Sequence, residues 1–194
     1  LTKTAQATEA LKKLYQEEAN NFKTLFDFAD GSASYKNFSD SAHFVISYPF
    51  IPYQYSLFQA AIQSLSTHNA FQGKHSSVGE RSMLGVFQDV AKTLGEYKLG
   101  QLATFDLMFE GIVHSLQPKA INSIIRANTH LENDYAKKVL KALFLVKFVR
   151  EFKPTLRNLC ILMRESFSQN PTELAEKVEN ALNLLEQQTY IQRN

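Results

Sequence analysis

An all-α fold is predicted from three observations on the sequence. Apolar residues recur at three- and four-residue steps over most of the chain. Seven glycines and five prolines in 194 residues are too few for the many turns of a sandwich or barrel. A hydrophobic share of 44%, with no low-complexity stretch and no internal repeat, is enough to bury a core.

The elements follow in order. From Thr4 to about Phe28, Leu11, Leu14, Tyr15, Phe22, Leu25 and Phe26 mark one helical stripe with charges between them. Thr4 suits the N-cap, and Asp30-Gly31-Ser32 suits the end. Residues 31–43 are polar and serine-rich, hence a loop. In His43-Phe44-Val45-Ile46-Ser47-Tyr48-Pro49-Phe50-Ile51-Pro52-Tyr53 two prolines lie three apart, which predicts an extended apolar segment. Pro52 then opens a helix to about Ser66. A polar loop runs from Thr67 to Ser77. From Val78 to Leu94, Met83, Phe87, Val90 and Leu94 form a clear helical stripe. Gly95 and Gly100 bracket a turn, and helices are expected at about 104–116 and 118–131.

The last sixty residues read as a unit of their own. A strongly apolar helix covers Asn133 to Arg150 and breaks at Lys153-Pro154. A shorter helix follows at about 155–167. After Gln169-Asn170-Pro171, a third at about 171–188 carries Leu174, Val178, Ala181, Leu182 and Leu185 on one face. Thr189-Tyr190-Ile191 has the β-branched and aromatic character of a strand start. Helix, turn, shorter helix, turn, longer helix and strand is the helix-turn-helix plan, here a winged-helix-like unit with a truncated wing. The domains are accordingly expected at 1–132 and 133–194.

Charge excludes some functions. The net charge is only +2, from 21 basic and 19 acidic residues. That disfavours a nucleic-acid-binding tail. The final helix exposes Glu173, Glu176, Glu179 and Glu186 against Lys177, a face that repels a duplex. Between 119 and 164, however, ten basic residues stand against three acidic ones. Lys137, Lys138, Lys141, Lys147 and Arg150 in that block are the candidates for following a nucleic-acid backbone without reading sequence. Ordinary solvated lysines around an apolar helix are the alternative. The dense aromatics Phe44, Tyr48, Phe50, Tyr53, Tyr55 and Phe58 suit either a core or a protein interface.

Motifs for chemistry are few. The Gly-Lys pair at 73–74 lacks the earlier glycine of a phosphate loop, since His68 stands there, and His75 replaces the Ser or Thr. The five histidines show no metal-ligand spacing with Cys, Asp or one another, so no metal is expected. Cys160, the single cysteine, sits among Leu159, Ile161 and Leu162 and reads as a buried small side chain. One cysteine makes no internal disulfide, which points to a reducing, cytoplasmic setting. No apolar run reaches the roughly 18 residues of a membrane span. The cluster Lys74-His75-Ser76-Ser77-Val78-Gly79-Glu80-Arg81-Ser82 stands out, because it joins a polar loop to a helix N-terminus. Free N–H groups, the dipole and the charges of Lys74 and Arg81 suit an anion there. Ser77 with Glu80 three residues on is equally a capping box.

Three blocks of this sequence resemble a known family. They are Tyr48-Pro49-Phe50-Ile51-Pro52-Tyr53-Gln54, the stretch Gly73 to Leu84 with its Gly79-Glu80-Arg81-Ser82 core, and Ala181 to Asn194. Together they are similar to the large P-loop ATPases of bacterial BREX phage-defence systems, the BrxC/PglY family. The resemblance implies an AAA+-like parent whose Walker motifs lie N-terminal to this region. The chain, which opens on Leu1, then reads as a non-catalytic internal piece. ATP and magnesium are implied for the parent, with no cofactor in this piece. The first unit would be a helical AAA+ lid, in which an arginine senses the γ-phosphate. By that analogy Arg81 is the nucleotide-sensing candidate, with Glu80 and Lys74 in support. Other BREX proteins, DNA and further copies of the parent are the implied partners, and a membrane is not.

Overall fold

Among the described residues, five α-helices open on a short polar side chain that caps them. In the computed structural model, residues 2–28, 34–73, 80–96 and 98–193 are described, with only the backbone of 80–82 and 96. Thr4 accepts the Ala7 N–H at 3.2 Å and opens α1 (Ala5–Glu18). Asp40 accepts the His43 N–H at 2.8 Å and opens α3 (Ser41–Ser47), after the one-turn α2 (Phe22–Leu25). Pro52 stands at the first turn of α4 (Pro52–Thr67). Then come α5 (Glu80–Thr93), a short α6 (Leu107–Glu110) and α7 (Asn122–His130). Asn133, Thr155 and Asn170 cap α8 (Asp134–Val146), α9 (Leu156–Leu162) and α10 (Pro171–Gln187). Among the described residues there are ten α-helices and no strand, so the all-α class expected from the sequence holds.

Four local expectations are corrected. The stretch expected to be extended from 43 starts as α3, because Pro49 constrains only the residue before it. Tyr48 is extended (ψ 135°), while Ser41–Ser47 stay helical behind the Asp40 cap. The first helix breaks after Glu18, and α2 is a separate turn. The helix expected over 104–116 is only α6 and a 3₁₀ turn at Val113–Ser115. The strand expected at Thr189–Ile191 is a helix stop instead. Thr189 takes φ +61°, its N–H bonds the Glu186 carbonyl, and the Tyr190 N–H bonds the Leu185 carbonyl at 2.8 Å. That pair of bonds is the Schellman arrangement. Asn69, at φ +54°, closes α4 in the same way: its N–H bonds the Ser66 carbonyl, and the Ala70 N–H bonds the Leu65 carbonyl.

α8 is the hub. It touches α4, α6, α7, α9 and α10, and its Ala136, Val139, Ala142 and Leu145 are buried. α8, α9 and α10 each contact the other two, giving the three-helix arrangement of the last sixty residues. One continuous cluster of buried apolar side chains reaches from Leu11 to Leu185, across position 132. Phe22 of α2 and Phe167 beyond α9 lie 5.4 Å apart within it.

An irregular segment, 100–105, threads this core between two neighbours. Its backbone polar groups must be paired there, since water is excluded. The Ala103 N–H bonds the Pro49 carbonyl, and the Ala103 carbonyl accepts from the buried Gln54 amide at 2.7 Å. On the other side, the Leu102 and Phe105 N–H groups bond the carbonyls of Glu165 and Leu162 at 2.8 and 2.9 Å. Most of the aromatics at 44–58 serve this core: Phe44, Phe50, Tyr53 and Phe58 are all buried.

Candidate functional site

α5 carries the sequence block singled out above. The helix starts at Glu80, which puts the backbone of Glu80, Arg81 and Ser82 in its first turn. Lys74 lies outside the described residues, as do Ser77 and the side chains of Glu80 and Arg81. The helix is seated firmly. Phe87 meets Phe50 at 5.0 Å and Phe58 at 5.7 Å, both edge-on, and Tyr55 at 4.7 Å. Such aromatic contacts add about 0.5–1.5 kcal/mol each beyond burial. Beside them an open groove of about 290 Å³ runs between α3, α4 and α5. Ile46 and Leu84 on its edges are 71% and 60% exposed.

The basic block is less free than its sequence suggests. Lys137 pairs with Asp134 at 2.9 Å, and Lys141 pairs with Glu110 of α6. Both lysine side chains are largely covered. Lys141 also lies 5.8 Å from the Phe109 ring centroid. Lys138 is exposed, within electrostatic reach of the buried Asp106. Lys147 is exposed over the Phe148 ring, and Arg150 is exposed. Of the five candidates, three are therefore drawn toward carboxylates of this same chain.

The acidic face of α10 is likewise partly answered from within. Arg193 reaches back to Glu179 at 2.9 Å, to Glu186 at 2.6 Å and to Asn183 at 2.6 Å. The Glu186 carboxyl is held below the usual carboxylate range by its bond to Arg193. Lys177 packs 4.1 Å from the Tyr135 ring centroid.

A polar feature that sequence reasoning missed lies under α8. Asp106 is only 3% exposed, at the end of the threaded segment. Burial pushes its carboxyl pKa up, against the opposing pull of Thr104, Lys138 and Lys141. Among the described residues, its Oδ1 has no hydrogen-bond partner, and neither has the buried Tyr135 hydroxyl or the Nε of buried Arg164. Burial raises the Tyr135 pKa, and Glu165, Cys160 and Asp106 add to the shift. Nothing in the apolar run around Asp106 signals this, because its burial depends on pairing with residues 162–165. Buried orphan groups of this kind commonly hold an ordered water.

A larger cleft of about 780 Å³ opens between α7, α8 and the tail after α10. Among the described residues no group of three or more His, Cys, Asp or Glu is placed to hold a metal ion. No helix among them is long and apolar enough to cross a membrane. No protein-family model matches the chain, and no solved structure matches it significantly.

Proposed function

We propose that this chain is a non-catalytic region of a BREX-type defence ATPase and relays nucleotide state to partners. The reading rests first on the Gly79-Glu80-Arg81-Ser82 block and its two companion stretches. The single structural observation in its favour is that the backbone of Glu80, Arg81 and Ser82 forms the first turn of α5. A 14-residue helix has the positive end of its dipole at that point, which favours an anion there. Arg81 is then the sensing residue, with Glu80 and Lys74 supporting it. A change felt at α5 has a packed route inward, since α5 touches α6, α6 touches α8, and α8 touches α10. ATP and magnesium would belong to the parent's catalytic part.

A second reading concerns partners. The paired Lys137 and Lys141 disfavour a duplex laid along α8. The exposed Ile46 and Leu84 beside an apolar groove favour protein contact on the α3–α5 face. The relay is tested by Arg81→Ala in the whole protein. Reduced ATP turnover or lost phage resistance is expected, and wild-type values for both overturn the sensing role.

A further inference from the structure

Arg164 is buried without a counter-charge. It is only 5% exposed, and no described carboxylate pairs with it. Its Nη1 donates to the Gln169 carbonyl at 2.9 Å, and its Nε has no partner. Nη2 bonds no described residue either and, unlike Nε, is not sealed from solvent. Burial pulls the guanidinium pKa down, and only the Cys160 thiol opposes the shift. Burial pushes that thiol up in turn, so near neutral pH it carries no charge to offset Arg164. A buried cation left in this state is destabilising until an anion reaches it.

Arg164 and Cys160 both line a cavity of about 340 Å³ between α2, α9 and α10. Leu25, Ile161 and Ala175 supply apolar walls, and among the described residues no Asp or Glu lines it. Arg157, also in the lining, is taken by Asp27 at 2.7 Å, which leaves Arg164 as the cation without an anion. We propose that this cavity binds a short aliphatic carboxylate, its head on Nη2 of Arg164 and its alkyl body against the α2, α9 and α10 walls. The volume sits at the low end of the roughly 300–1,000 Å³ of small-molecule sites, room for about eight non-hydrogen atoms. A guanidinium holds a carboxylate by charge-assisted hydrogen bonds. The apolar walls favour an alkyl body over a fully hydrated inorganic anion.

Cys160 is the single cysteine of the chain, so its alkylation by N-ethylmaleimide reports on this cavity alone. 4-Methylpentanoate should slow that reaction saturably. 4-Methylpentanamide and 4-methylpentylamine, on the same skeleton, and inorganic phosphate should protect at least tenfold more weakly. Should the half-buried thiol react too slowly to follow, the rise of the thermal unfolding midpoint with ligand makes the same comparison. Arg164→Gln, still folded by circular dichroism, should bring the carboxylate down to the level of the amide. The amide comparison uses the unaltered chain and stands whether or not that variant folds. No saturable effect of the carboxylate overturns the proposal. Equal effects of the amide or of phosphate, or an unchanged carboxylate effect in Arg164→Gln, overturn it as well.

Discussion

Val86 of α5 lies directly over Gly111. A β-carbon at 111 would come within 2.6 Å of both Val86 methyl carbons. Val86 is β-branched and buried, so its side chain has little room to turn away. The glycine is what lets α5 rest on the turn after α6, the first contact in the proposed relay.

Gly111→Ala should therefore cost about 1–3 kcal/mol, the usual range for overpacking a core. Adding Val86→Ala should recover part of the loss, giving a coupling of about 0.5–3 kcal/mol in a double-mutant cycle. Denaturant unfolding of the four chains reads this directly. Additive effects would mean that the contact is slack.

Asp106 predicts a pH dependence. Its folded-state pKa is raised by burial, so the folded chain keeps the proton to higher pH than the unfolded chain does. In acid the protonated group carries no ionisation penalty, and stability falls as pH climbs from the ordinary Asp range through the raised value. Asp106→Asn removes that fall. The variant should gain stability relative to wild type on going from about pH 4 to about pH 8. Thermal unfolding at both pH values checks it.

Thr189 holds a left-handed backbone that costs an L-residue about 1–2 kcal/mol. Thr189→Gly removes that strain and adds about 0.5–1 kcal/mol of chain entropy cost. A net gain of about 0.5–1 kcal/mol is expected, seen as a higher denaturant midpoint at constant slope. Asn69 holds the same conformation but tolerates it, so Asn69→Gly should change little.

The basic block predicts a negative result. With Lys137 and Lys141 paired internally, the chain should not retard a short duplex in a gel even at about 50 mM salt, where phosphate contacts are strongest. Retardation that Lys137→Ala and Lys141→Ala abolish would restore the nucleic-acid reading.

Much of this fold was legible from helical spacing. The stripe of Met83, Phe87 and Val90 and the faces of α8 and α10 form helices close to the expected bounds. What escaped depended on partners distant in sequence. A helix is expected from about 104, but the Phe105 N–H is taken by the Leu162 carbonyl, and those of Leu102 and Ala103 just before it by Glu165 and Pro49. The strand character of Tyr190 and Ile191 yields to the turn that closes α10. The charge of Lys141 is legible, whereas its pairing with Glu110, 31 residues away, is not. Asp106 sits in an apolar run whose burial only the assembled helices create.

The relay itself is tested most directly at the first turn of α5. Hydrogen exchange of the amides at Glu80–Leu84 is measured in the whole protein, with and without ATP and magnesium. Slower exchange with nucleotide, lost in Arg81→Ala, is the expected result. Identical exchange in the two conditions would contradict nucleotide sensing by this region.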